Sequence, residues 1–213
     1  MLDHGPAIEL ARKGHRVILP DSRGCGDSEK PDDANGFPAD ILADDGLALV
    51  SHLGFAAGEY DLAGYSLGGR IVVRMLARDA APGRAIVAGQ GLAKVCGVQG
   101  GGVNHRVLTA LVTGTPIESN SADAIVAQAF SRVGTDPSVL LQILDSLVPT
   151  PERVLQEISV PTLVVIGEQD DRDDADKLAA LVPNARFVRV PGDHGGAFVA
   201  KEFATAACEF LAY

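Results

Sequence analysis

Five short runs rich in β-branched and aliphatic residues constrain the fold of this chain more than any other feature. They are "HRVILP" (15–20), "YDLAG" (60–64), "RAIVAG" (84–89), "TLVVIG" (162–167) and "RFVRVP" (186–191). They read as continuous apolar runs rather than alternating ones, so each is expected to be a strand covered on both faces. Helical patterns lie between or around them, over 6–13, 38–53, 67–79, 174–182 and 197–211. In the third, Ile71, Met75 and Arg78 share one face and Val72, Leu76 and Asp79 the next, so an apolar stripe ends in polar residues. Strands alternating with helices predict an α/β fold, a mainly parallel twisted sheet with helices on both faces.

Residues 92–158 break the alternation. "GLAKVCGVQGGG" reads as a loop with a glycine hinge at 100–102. Segments 105–113, 121–133, 136–148 and 151–157 read as short amphipathic helices punctuated by Gly or Pro. The expected organisation is a core of 1–91 and 159–213 with a small helical lid, 92–158, inserted into it. At 213 residues the chain suits one compact domain with such an insertion. The lid offers mainly Leu, Val, Ile and Ala, with Phe130 its only aromatic, which suggests a modest apolar pocket.

Charge and cysteine content narrow the partners. With 28 acidic and 18 basic residues the formal charge is −10, which repels phosphate backbones and anionic headgroups, so neither nucleic acid nor a membrane surface is expected. No apolar run is long enough to cross a bilayer, and "MLDHGPAIEL" lacks the basic and apolar regions of a secretory signal, so a cytoplasmic location is expected. Cys25, Cys96 and Cys208 are scattered and odd in number, which suits neither a disulfide framework nor a thiolate metal site.

"GYSLGG" (64–69) carries the chemistry. It follows a predicted strand and opens a predicted helix, so Ser66 lies on a sharp strand-to-helix turn that lifts its hydroxyl clear of the sheet. Such a turn brings backbone segments close together, and a Cβ at position 64 or 68 is expected to clash, with Gly69 extending the clearance. The competing reading is a serine that merely caps the helix. At the helix N-terminus the Leu67 N–H is placed to receive a developing oxyanion.

A serine hydroxyl needs a base, and the base needs an orienting group. His194 follows the last predicted strand in "VPGDHGGAF", a glycine-rich loop able to project an imidazole across the sheet edge. His4, His15, His52 and His105 fall on helix surfaces, helix ends or the lid. The acid is expected at the end of a strand between serine and histidine, where "VVIGEQDDRDD" offers Asp170, with Asp171 its close competitor. No phosphate loop, dinucleotide fingerprint or metal-binding pattern is present, so no cofactor or metal is expected.

Taken together, "RVILPDSRGCGDSEKP" (16–31), "YDLAGYSLGGRIV", "PTLVVIGEQD" and "RFVRVPGDH" resemble the α/β-hydrolase family, in its serine hydrolase and esterase branch. The resemblance implies Ser66 as nucleophile, Asp170 as acid, His194 as base and Leu67 N–H as one oxyanion donor. It implies hydrolysis of a small carboxylic ester or related acyl compound without cofactor. The alternatives are perhydrolase or haloperoxidase-like or C–C hydrolase chemistry, or a weakly catalytic ligand-binding scaffold. A serine at 66 speaks against the branches with a carboxylate nucleophile. The family has three further strands ahead of "RVILPD", where here twenty residues precede Asp21, with His4-Gly5 the only echo of the loop that donates the second oxyanion N–H. The resemblance thus implies a gap in the sheet, met by a fragment, by 15–20 sliding to pair with 60–64, or by a homodimer through the exposed sheet edge.

Overall fold

The computed structural model describes residues 5–97 and 102–212. His4, and Gly100 and Gly101 of the expected hinge, lie outside the described residues. Four strands form one sheet: β1 (Leu62–Tyr65), β2 (Ala85–Ala88), β3 (Thr162–Gly167) and β4 (Ala185–Val190). Their spatial order is their chain order and every pairing is parallel. The helices are α1 (Pro6–Arg12), α2 (Ile41–His52), α3 (Leu67–Leu76), α4 (Leu92–Cys96), α5 (Val103–Thr113) and α6 (Ala122–Val133). They continue with α7 (Pro137–Ser146), α8 (Glu152–Leu155), α9 (Ala175–Leu181), α10 (His194–Val199) and α11 (Lys201–Leu211). The chain divides into two compact units: Met1–Leu19, Gly46–Gly97 and Thr150–Tyr213 form one, Pro20–Asp45 and Val98–Pro149 the other.

The first unit contains the sheet, and β2 and β3 are buried at every position because successive side chains along each strand face opposite covered sides. Val87, Val164 and Ile166 face a cluster with Val72, Val73 and Leu76 of α3 and Leu178 of α9. Ile86, Ala88, Leu163 and Val165 face the opposite cluster, with Leu10 of α1, Ala197 of α10 and Phe203, Ala207 and Leu211 of α11. A strand buried on both faces cannot carry a polar alternation without orphaning a side chain, which is why these runs are continuous.

The second unit is helical and has its own buried residues, among them Val107 and Leu108 of α5 and Ile143 of α7. Ser121 caps α6 and Asp136 caps α7, each accepting a first-turn N–H. Arg23 grips Asp45 with two hydrogen bonds of 2.8 and 2.7 Å.

Three expected elements depart from the sequence pattern for physical reasons. Residues 15–20 form no strand. The segment leaves the end of α1 through a bond from His15 N–H to the Leu10 carbonyl, and Val17 rests on the second cluster while Ile18 and Leu19 stay exposed. β propensity without a hydrogen-bonded neighbour does not make a strand. β1 accordingly has only β2 as a partner among the described residues, and Ala63 in its middle is exposed. Residues 92–96 are helical where a loop was expected, because Asp174, distant in sequence, accepts from Ala93 N–H at 2.7 Å and caps α4. The expected helix 197–211 begins at His194 and breaks at Ala200, since Asp193 caps the first turn through Gly195 N–H and Gly196 N–H.

The turn from β1 into α3 has Ser66 at φ 54°, ψ −117°, a conformation that L residues rarely adopt. Ser66 N–H donates to the Ala88 carbonyl at 2.8 Å, prolonging the β1–β2 ladder through the turn. Its own carbonyl accepts from Arg70 N–H at 3.2 Å and from the buried Gln90 amide at 2.5 Å. A Cβ on Gly64 would stand 2.1 Å from the Gly68 carbonyl oxygen, and one on Gly69 would stand 2.8 Å from the Ala88 carbonyl oxygen. A Cβ on Gly68 meets nothing within 4 Å, so the clash expected at position 68 is absent and the steric demand falls on 64 and 69.

These contacts give two stability predictions for urea unfolding. Ile166→Ala, deep in the first cluster, is expected to cost about 2–5 kcal/mol. Gly64→Ala is expected to cost at least about 3 kcal/mol by forcing backbone apart, whereas Gly68→Ala gains up to about 1 kcal/mol, because alanine suits a helical turn better than glycine. Equal losses at 64 and 68 would contradict this account of the turn.

Candidate active site

The strained turn aims Ser66 away from any capping role. Its hydroxyl makes no hydrogen bond to the first turn of α3. Instead Ser66 Oγ lies 2.9 Å from His194 Nε2. His194 Nδ1 lies 2.7 Å from Asp170 Oδ2. Hydroxyl, imidazole and carboxylate therefore form one continuous hydrogen-bonded chain, supplied by the C-terminal ends of β1, β3 and β4 and lying wholly within the first unit. Leu67, the first residue of α3, has an N–H with no acceptor inside its own helix.

Each member is held by a distinct device. Asp170 turns back on itself through its N–H to the Gly167 carbonyl, and its carboxylate is fully buried. Burial pushes that carboxyl up, but hydrogen bonds from His194, from the Arg172 side chain and from Arg172 N–H outweigh it and hold the group well below the ordinary carboxylate range. His194 is the first residue of α10, so the Asp193 cap fixes its backbone. The Tyr65 hydroxyl donates to the His194 carbonyl at 2.6 Å, and the two rings lie 5.4 Å apart. Tyr65 is wedged further against Phe198 and Phe203. Burial first, then the negative charge of Asp170, push the Tyr65 hydroxyl up to about 12, so it stays a neutral donor. Gly89, at φ 64°, leaves the imidazole its room: a Cβ there would stand 3.1 Å from His194 Cε1 and 3.0 Å from the Tyr65 ring.

All four residues singled out from the sequence, Ser66, Leu67, Asp170 and His194, come together at this place. Asp171 does not reach His194; its carboxylate is 84% exposed and bonds to Arg172. His105 pairs with Asp145 in the second unit at 2.9 Å. Three supporting residues escaped the sequence reading: Tyr65, Gln90 and Arg172. Tyr65 precedes the serine, and an aromatic there could have been read as a wedge. Nothing in the sequence brings Gln90 or Arg172 to the serine and histidine. Among the described residues no group of three or more His, Cys, Asp or Glu is placed to hold a metal ion. No helix among them is long and apolar enough to cross a membrane.

A hydroxyl bonded to an imidazole whose far nitrogen faces a buried carboxylate is an arrangement able to generate an alkoxide-like nucleophile near neutral pH. A curated relative, the AB hydrolase superfamily protein YisY of Bacillus subtilis (strain 168), is 40% identical over 70 residues, 33% of this chain. The match spans 25% of that protein's length. A thermophilic esterase from Thermogutta terrifontis, in its malate-bound crystal form, superposes with a TM-score of 0.71 at 21% identity, over 99% of this chain and 86% of that one. A bromoperoxidase from Bacillus anthracis gives a TM-score of 0.69 at 21% identity, over 97% and 85% of the two chains. These two likenesses speak to fold. The model of the alpha/beta hydrolase family matches residues 3–206, nearly the whole chain, and the chain belongs to that family.

Proposed function

We propose that this chain is a cytoplasmic serine hydrolase that cleaves a small carboxylic ester or related acyl substrate. The observation that carries the reading is the unbroken chain from Ser66 Oγ through His194 to Asp170, at 2.9 and 2.7 Å. His194 Nε2 takes the hydroxyl proton as Oγ attacks the acyl carbonyl. The tetrahedral oxyanion rests on Leu67 N–H and the positive end of α3. Asp170 keeps the Nδ1–H tautomer and stabilises the imidazolium. His194 then returns the proton to the leaving alcohol, and water releases the acyl group by the same steps. Every step uses protein groups and water alone.

The free cysteines Cys25, Cys96 and Cys208 fit a reducing compartment. The one-sided pairing of β1 supports association of two copies through that edge. Sedimentation velocity reads this directly: a dimer is expected, and a stable monomer removes the pairing.

For the chemistry, a fluorophosphonate probe is expected to label wild-type protein and not Ser66→Ala. A folded wild-type protein left unlabelled would favour a ligand-binding scaffold. With p-nitrophenyl acetate, His194→Ala and Asp170→Asn are each expected to lose on the order of 10³–10⁴-fold in kcat. Asp170 also links stability to pH. Its carboxyl is depressed in the folded state, so its contribution is present above the unfolded value, about 3.9, and is lost as pH falls through the lower folded value. The stability advantage of wild type over Asp170→Asn in urea should be constant above about pH 5 and shrink below about pH 4. An advantage that grows on acidification would reverse the assigned sign.

A further inference from the structure

One charged side chain at the site has no part in the scheme above. Arg172 reaches back from two residues beyond Asp170, and its side chain is only 16% exposed. Its Nη1 donates to Asp170 Oδ1 at 2.8 Å and to Asp171 Oδ1 at 2.8 Å, while its backbone N–H donates to the same Asp170 Oδ1 at 3.1 Å. Arg172 Nη1 also stands 3.0 Å from His194 Nδ1. Both oxygens of Asp170 are therefore committed, Oδ1 to Arg172 and Oδ2 to His194.

We propose that Arg172 is a positioning residue: it locks the carboxylate plane of Asp170 so that Oδ2 aims at the imidazole, and it sets a permanent cation against that same imidazole edge, extending activity to lower pH. This rests on the catalytic reading of Ser66, Asp170 and His194. Two physical steps lead to it. A carboxylate bound at one oxygen alone can swing about its terminal bond, and two donors on Oδ1 remove that freedom. A guanidinium nitrogen 3.0 Å from Nδ1 cannot donate there while Nδ1–H donates to Asp170, so the contact is electrostatic and opposes protonation of the ring. Asp170 acts in the opposite sense, and the pair sets the balance.

The other groups facing the imidazole leave that balance to Arg172. From β1 and the turn after it come Tyr65, a neutral donor to the His194 carbonyl, and Ser66 itself. On its own helix, the Asp193 carboxylate is engaged with two backbone N–H groups. Asp171 points to solvent and meets the ring only through Arg172. A guanidinium suits the place because it cannot lose its proton in the working pH range.

The test is the pH profile of kcat/KM for p-nitrophenyl acetate, from pH 4 to 9, with Arg172→Met, Arg172→Gln and Arg172→Lys. Removing the cation in Arg172→Met or Arg172→Gln is expected to move the acid limb up by about one pH unit, and so to cost roughly tenfold in rate on that limb. Arg172→Lys keeps a charge but not the forked geometry, so its acid limb stays nearer the wild-type position while kcat falls. If Arg172→Met does not fold, the Gln and Lys variants decide by the same readout. An acid limb that stays at the wild-type pH in both neutral variants overturns the proposal, whatever happens to kcat, because a purely structural residue would lower rate without moving the limb. Failure of the underlying reading looks different: wild-type protein would then not be labelled at Ser66 by the fluorophosphonate.

Discussion

The backbone of Ser66 is the constraint on which the site depends. A non-glycine residue at φ 54°, ψ −117° costs about 1–3 kcal/mol and relaxes unless its neighbours forbid it. Here they do so from three sides. The ladder bond to Ala88 fixes the amide, and the Gln90 amide and Arg70 N–H hold the carbonyl. Gly64, with no Cβ to strike the Gly68 carbonyl oxygen, lets the turn close this tightly. Had the serine relaxed into an ordinary cap, its hydroxyl would have been spent on α3 and the imidazole would face nothing.

The same economy governs the other two members. Nothing in the first unit places Asp170 or His194 by long excursions; each lies within four residues of the end of its strand, and β3 and β4 are adjacent in a sheet whose order follows the chain. The two apolar clusters clamp β2 and β3 from both faces, so the strand ends that bear or flank the site are fixed by buried contacts. β1 is the exception, paired on one side only among the described residues. It is short and its middle residue is exposed, yet it carries the serine. Its stability is borrowed from β2 and from α3, whose Val72, Val73 and Leu76 sit in the first cluster.

How far this was legible in the sequence depends on the range of the interactions involved. Four of the five runs became strands; in β2 and β3 burial on both faces leaves a local compositional mark, whereas β1 and β4 are partly exposed, so the cover expected on both faces holds for the two central strands only. The fifth, 15–20, carries the same mark and stays irregular, since pairing is a property of two segments and not of one. The serine turn was legible because its glycines are adjacent to it, though at Gly68 open space replaces the expected clash. The Asp193 cap that makes "HGG" helical could have been read, as an acid one residue before a helix start is a known signal. The Asp174 cap on α4 and the contact of Arg172 with His194 could not, because both join segments distant in sequence.

The acidic stretch from Glu168 to Asp176 shows how one composition divides into several roles. As a charge run it reads as a solvated helix start, and for Asp176, in the first turn of α9, that description suffices. Asp170 is turned inward by its bond to Gly167 and meets the imidazole. Asp171, one residue on, points outward and shares the same arginine. Asp174 leaves its own helix uncapped by its side chain and caps α4 instead. Six like charges in so short a span would repel if they faced one another. The backbone turns them apart: Asp170 and Asp171 share Arg172, and Asp174 receives the Ala93 N–H. The charge run is tolerated because it is distributed among donors, and its one buried member is the carboxylate that faces His194.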